Sequence, residues 1–267
     1  RLTSTKNYED SAFSISTNTS QRITDNLSYN LGLSHVSRSP NMAELFADGK
    51  HGPTNRYEKG DSSLEREVSK NIDLGLQFTS GDSIIDFSLY RNDVKDFIYL
   101  RDLGTKTYDG DHQDANWSQK DAVFQGYEIS YMKPFTLGNT DLYLTLSRDD
   151  ISATFDSDTY VPRIPSAKNV LDLTILGQKN ETYTVSLIFS ESQKDFSSIE
   201  TETNSYVDLA MKYSNKIAIS SNYDLNVNLF GNNLLDRTRR NHASFVKAHV
   251  PLPASSFGFD ISLDYKF

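Results

Sequence analysis

Apolar and polar residues alternate along this chain in short runs, and the runs are separated by connections of two lengths. The clearest run is 257–267, where Phe257, Phe259, Ile261, Leu263, Tyr265 and Phe267 alternate with Gly258, Asp260, Ser262, Asp264 and Lys266. A strand sends successive side chains to opposite faces, so such a run has one greasy face and one wet face. The pattern begins at Phe13, Ile15 and Thr17. It returns in Leu27, Tyr29, Leu31 and Leu33, then in Ile72, Leu74, Leu76 and Phe78, and in Ile85, Phe87 and Leu89. Further runs are Tyr127, Ile129 and Tyr131; Leu142, Leu144 and Leu146; Leu171, Leu173 and Ile175; and Tyr183, Val185, Leu187 and Phe189. Val207, Leu209, Met211 and Tyr213 follow, then Tyr223, Leu225, Val227 and Leu229. This periodicity predicts about eleven strands, or about twelve with an N-terminal remnant.

A polar break is expected at 19–26, and short turns at 80–82, 133–140, 177–180 and 214–222. Long loops are expected at 35–64, 101–119, 152–165, 190–203 and 232–253. Short and long connections therefore alternate. A sandwich has no reason to place every long loop at one end, whereas an up-and-down antiparallel barrel in an outer membrane does, with short turns inside and long loops outside. One helical turn is expected at 39–46, with Ser39 before Pro40 at the first helical position.

Composition fits this picture. Mean hydropathy is −0.54, and no window approaches the roughly 20 apolar residues of a membrane-spanning helix. A barrel escapes that test because only every second residue faces lipid. The 15 Tyr and 15 Phe suit interfacial girdles. The inward positions Asp73, Asp86, Glu128, Asp172, Asp208, Asp224, Asp260 and Asp264 predict a wet lumen. The absence of cysteine excludes a disulfide framework and thiolate metal sites. A net charge of −9 argues against a nucleic-acid partner. No nucleophile elbow, zincin or P-loop motif is present, so the expectation is a non-enzyme. The opening residues do not read as a signal peptide, so the N-terminus looks cut. A soluble all-β protein and a closed barrel of about twelve strands are the alternative architectures.

Several segments resemble TonB-dependent outer-membrane receptors. Arg38-Ser39-Pro40-Asn41-Met42-Ala43-Glu44-Leu45-Phe46 resembles their R-x-P-x-x-x-E-L-F/Y segment. Gly60-Asp61-Ser62-Ser63-Leu64-Glu65-Arg66-Glu67 resembles G-N-x-x-L-x-x-E, and Asn233-Leu234-Leu235-Asp236 resembles N-L-L/F-D/N before the last loop. The terminal aromatic strand completes the set. The stretch from Ala47 to Glu58 is similar to a loop of the zinc-uptake branch, the ZnuD-type receptors, with His51 on the second His of that pattern and Asp48 replacing the first. Asn241-His242-Ala243-Ser244-Phe245 is similar to an element in the last loop of the same branch.

The resemblance implies that residues 1–267 form the C-terminal part of a 22-stranded plugged barrel in the bacterial outer membrane. The plug, the segment that contacts the TonB complex and the N-terminal strands would lie outside this sequence. It implies active uptake of a scarce nutrient, with Zn2+ the favoured transported ligand and no prosthetic group. Haem or siderophore uptake, or a passive barrel or adhesin, are the alternatives. Candidate metal contacts are His51, Asp48 and Glu58, then His112 in the acidic run 109–114, and His242 with His249 if the final loop folds back. Arg237, Arg239 and Arg240 could meet lipopolysaccharide or a metal chelate.

Overall fold

Residues 9–156 and 159–265 are described by a computed structural model. The elements in chain order are β1 (Ile15–Thr24), β2 (Leu27–Arg38), helix α1 (Met42–Phe46), β3 (Asp48–His51), β4 (Arg56–Lys59), β5 (Glu67–Ser80), β6 (Ser83–Asp102) and β7 (Gln113–Leu137). They continue with β8 (Thr140–Phe155), β9 (Lys168–Leu176), β10 (Glu181–Ser190), β11 (Tyr206–Ala218), β12 (Tyr223–Asn232) and β13 (Ser256–Tyr265). The main path is antiparallel and follows chain order, β1-β2-β5-β6-β7-β8-β9-β10-β11-β12-β13. The expected up-and-down all-β architecture is present. Lys266 and Phe267, the last two residues of the run read as the closing strand, lie outside the described residues.

Register explains the alternation. Tyr131, Leu146, Leu171, Leu187 and Leu209 follow one another across five strands on one face. Leu146, Leu171 and Leu187 remain about two-fifths exposed, as befits residues whose partner is not protein. The eight predicted inward carboxylates lie on the opposite face. Among them, Asp208 pairs with Arg239 and Asp224 with Lys216, which also lies 4.0 Å from Asp264.

Several boundaries move. The break expected at 19–26 shrinks to Asp25 and Asn26, because β1 runs to Thr24. The 133–140 turn shrinks to Gly138 and Asn139, with Gly138 at φ +63°. The 101–119 loop shrinks to residues 103–112, and the 214–222 turn to 219–222. At the 19–26 break and the 101–119 loop the cause is the same. Beyond the apolar belt the backbone ladder continues, but its side chains no longer need to be apolar, so the pattern fades before the strand does. The path ends at β1 and β13, which do not pair with each other among the described residues.

The strands β6 and β7 are 20 and 25 residues long. About 9–11 suffice to cross a bilayer, so the pair stands well clear of the belt as a ribbon. Above a bulge between Val94 and Phe97, each face of the ribbon carries a small core. Ala122, Ala153 and Phe155 pack with Val161 and Ile164 of the β8–β9 connection on one face, alongside Phe97 and Tyr99. Ile98 packs with Leu45, Leu64 and Trp117 on the other.

The helical turn starts later than expected. Asn41, not Ser39, is the N-cap: its side chain accepts from the Ala43 and Glu44 amides at 2.8 and 3.0 Å, and the Glu44 carboxylate accepts from the Asn41 amide at 2.7 Å. Arg38 then bridges Glu44 at 2.9 Å and Glu67 at 3.0 Å, and Glu67 also accepts from the Ile98 amide at 3.0 Å. Two motifs far apart in sequence thus form one fastener between β2, α1, β5 and β6. Gly60 is part of it. A Cβ there would sit 2.5 Å from the Leu45 carbonyl carbon and 2.5 Å from the Phe46 amide nitrogen. Gly60→Ala is expected to destabilise this fastener by about 1–3 kcal/mol through overpacking against backbone. Faster amide exchange in α1 and unchanged exchange in β9–β11 would be the signature.

Candidate functional site

The first long loop folds back on the ribbon. Strands β3 and β4 form an antiparallel hairpin, from Asp48↔Lys59 to His51↔Arg56. Strand β4 then pairs parallel with β7, from Arg56↔Gln113 to Lys59↔Asn116. This hairpin was not legible as strand, because Gly49, Gly52 and Pro53 break any apolar alternation.

The hairpin sorts the first candidate residues by face. His51 and Glu58 share one face: His51 Nδ1 lies 2.9 Å from Glu58 Oε1, and the Thr54 hydroxyl donates to the same oxygen at 2.5 Å. Glu58 is buried, while the His51 side chain is 53% exposed. Asp48 points to the other face, where it accepts from the Tyr57 hydroxyl at 3.1 Å. On that face Lys50 lies 3.4 Å from Asp109, and Lys59 sits 3.9 Å over the Tyr108 ring. The structure therefore joins His51 to Glu58 and separates both from Asp48.

His112 pairs locally, its Nδ1 2.8 Å from Asp109 Oδ2. The His112 backbone N–H, with that of Asp111, holds the Asp109 carboxyl well below the usual carboxylate range. The loop 103–112 is pinned from beneath by Asp114, which is fully buried. It accepts from the Thr105 and Thr107 hydroxyls at 2.6 and 2.7 Å and from the Thr107 and Tyr108 amides at 2.6 and 3.1 Å. Burial alone would raise its pKa, but these four donors outweigh burial and hold it at about 2.

Asp102, at the tip of β6, gathers two arginines from elsewhere. Arg56 reaches it through Nε at 2.7 Å and a second nitrogen at 2.9 Å, and Arg163 of the β8–β9 connection at 3.0 Å. Both guanidinium groups lie over the Phe245 ring of the final loop, at 5.1 and 3.6 Å from its centroid. Arg56 also donates to the Phe245 carbonyl at 3.0 Å. One carboxylate and one aromatic ring thereby join the hairpin, the ribbon, the β8–β9 connection and the final loop. Sequence reasoning missed this group: it placed Asp102 within the 101–119 loop, and nothing in the sequence ties that residue to Arg56 or Arg163.

The final loop is closed at its base by Asn233, fully buried at φ +50°, whose amide exchanges hydrogen bonds with the Arg237 backbone at 3.0 Å each way. His242 and His249 do not meet. His249 is exposed and lines a cleft of about 430 Å³ together with Arg56, Asp102, Lys106, Asp111 and Phe245. The His242 ring is buried, turned to Thr203 and Lys247. Arg240 donates to the Lys247 carbonyl and Arg239 to Asp208, so these two arginines fasten the loop. Among the described residues, no three His, Asp or Glu side chains gather closely enough to hold a metal ion.

This architecture has recognisable relatives. The family model described as TonB dependent receptor-like, beta-barrel matches residues 1–234, and the chain belongs to that family. The copper transporter OprC superposes with a TM-score of 0.71 at 19% identity, over 94% of this chain and 39% of that one. A mutant of the ferric enterobactin receptor PfeA from Pseudomonas aeruginosa gives 0.65 at 17% identity, over 95% of this chain and 40% of that one. The heme/hemopexin utilization protein C of Haemophilus influenzae (strain 86-028NP) is 27% identical over 120 residues, 40% of this chain and 17% of the relative. The chain thus spans about two-fifths of the length of the solved receptors it resembles.

Proposed function

We propose that the chain is the C-terminal part of a plugged barrel in the bacterial outer membrane that takes up a scarce nutrient by TonB-coupled transport, with zinc as cargo. The plug would lie in sequence beyond these residues and would contact the TonB complex, while lipid and lipopolysaccharide surround the apolar belt. Family membership supports the receptor reading. The observation behind zinc is the His51–Glu58 pair. Metal-bound imidazoles donate their second N–H to a carboxylate, which orients the ring and raises its basicity. Glu58, buried and 2.9 Å from Nδ1, is placed for that task, leaving Nε2 as the ligating nitrogen. Zinc wants about four ligands, so water, a chelating molecule or the plug would supply the rest.

Calorimetry on the intact detergent-solubilised receptor tests this, wild type beside His51→Ala. The expected loss in zinc affinity is at least about tenfold, or about 1.4 kcal/mol. Unaltered affinity in the variant would remove His51 from the site. A wild type that does not bind zinc would remove zinc as cargo.

A second reading, uptake of a metal chelate such as haem or a siderophore, is favoured by the cleft. Its volume of about 430 Å³ suits a small organic complex better than a bare ion, and its lining mixes Arg56, Lys106 and Asp111 with Phe245. Chelate binding that survives His51→Ala would select it.

A further inference from the structure

One buried imidazole couples the final loop, residues 233–255, to the loop after β10, residues 191–205. His242 is 2% exposed. Its Nδ1 lies 2.8 Å from the Thr203 hydroxyl and 3.1 Å from the Lys247 ammonium. Lys247 also donates to the Thr201 carbonyl and, at 3.2 Å, to the Thr203 hydroxyl. Nε2 is buried with no hydrogen-bond partner; the nearest acid, Glu200 Oε1, is 3.7 Å away. The charged groups facing the ring are Lys247 from its own loop, Glu200 from the loop after β10 and Arg163 from the β8–β9 connection. Glu200 is already engaged, accepting from the Arg163 amide at 3.0 Å and from the Ser197 amide and hydroxyl at 3.1 and 2.9 Å.

An ammonium only donates. The network therefore assigns Nδ1 as the acceptor and places the single proton of the neutral ring on Nε2. A second proton would put an N–H on Nδ1 against the Lys247 ammonium, two donors face to face in a buried site, with Arg163 adding to the positive field. Burial first, and then Lys247, push the His242 pKa below its ordinary value, against the pull of Glu200.

We propose that proton uptake by His242 is an acid-operated release of the final loop from residues 191–205. The ammonium is displaced, its bonds to Thr201 and Thr203 go with it, and the mouth loosens. Ile199 on one loop and Phe245, Ala248 and His249 on the other line the same cleft, so the release widens that cleft. Because the native ring resists protonation, the tie is fully present above the ordinary histidine value and is lost as the pH falls through the lowered native one. The device does not depend on which cargo the receptor takes.

The test is a distance measurement by pulsed EPR on the full receptor in detergent. Spin labels are placed at Ser198→Cys and Val250→Cys, both exposed, in a stretch of 267 residues with no cysteine of its own. Between about pH 7.5 and about pH 5, across the histidine range, the distance should lengthen and broaden in the otherwise wild-type protein. It should stay fixed in His242→Gln, whose amide accepts at the same place and does not titrate. Lys247→Gln, which removes the opposing ammonium, should also suppress the change. A wild-type distance that is the same at both pH values overturns the proposal, as does an undiminished change in either glutamine variant. The readout concerns the loops alone, so it stands or falls separately from zinc binding.

Discussion

Asp102→Ala is expected to unfasten the mouth of the protein. The three side chains of the Arg56–Asp102–Arg163 group are each no more than 14% exposed. Deleting the carboxylate strands two guanidinium groups over one aromatic ring. Removing one partner of a buried ion pair costs about 3–5 kcal/mol, because the remaining charge stays buried and uncompensated. Most of this cost should appear as local opening, since of the main-path strands only the tip of β6, at Leu100 and Asp102, takes part in this group. Hydrogen exchange should quicken in β3, β4, residues 159–167 and the stretch around Phe245, with β9 to β11 unchanged. Unaltered protection in the hairpin would show that parallel pairing with β7 holds it without Asp102. Asp102→Asn, which keeps acceptor oxygen but loses the charge, should fall between the two.

The second large effect is expected at Asp114. Four donors from Thr105, Thr107 and Tyr108 converge on this one side chain, and Asp114→Ala leaves all of them without their acceptor. Protection of residues 103–112 should drop at least about a hundredfold, on the scale of two hydrogen bonds to a charged acceptor. There is a matching acid dependence. The native pKa, about 2, lies below the ordinary value of 3.8, so the carboxylate favours the folded loop. That contribution is fully present above about pH 4 and fades as the pH falls through about 2. The same loop in Asp114→Asn should show no such step. A step of equal size in the variant would assign it to another carboxylate, with Asp109 first in line.

These two groups also mark where sequence reading stopped. The strands were legible because each one crosses an apolar belt, and a belt imposes alternation on every strand that crosses it. Their ends were not: from Thr19 to Gln21 polar side chains continue the ladder, and at the end of β7 Lys133 and Pro134 interrupt an alternation that Phe135 and Leu137 then resume. The helical turn expected at 39–46 is there, but its cap is Asn41, because a capping box with Glu44 satisfies more backbone than Ser39 could. The link between Arg38, Glu44 and Glu67 was hidden in the spacing between two motifs. Of the candidate ligands, His51 and Glu58 come together across a hairpin, seven residues apart, and nothing local announces that. Asp102, Arg56 and Arg163 come from three segments joined only by the tertiary fold, so no pattern within one segment could have found them.

The pairing of β4 with β7 bears on the order in which the molecule is put together. Among the described residues it is the one parallel pairing in the sheet, and it joins Arg56 to Gln113 and Lys59 to Asn116 across two intervening strands. Every pairing in the main path can form from neighbours as the chain zips up, hairpin by hairpin. This one cannot, because its template edge exists only after β5, β6 and β7 have assembled, and such distant contacts must absorb loop-closure entropy before they return any stability. The ribbon is therefore built first and the hairpin carrying His51 is hung on it afterwards. A mutation that weakens the ribbon tip would leave the main path of strands assembled and the His51 hairpin undocked.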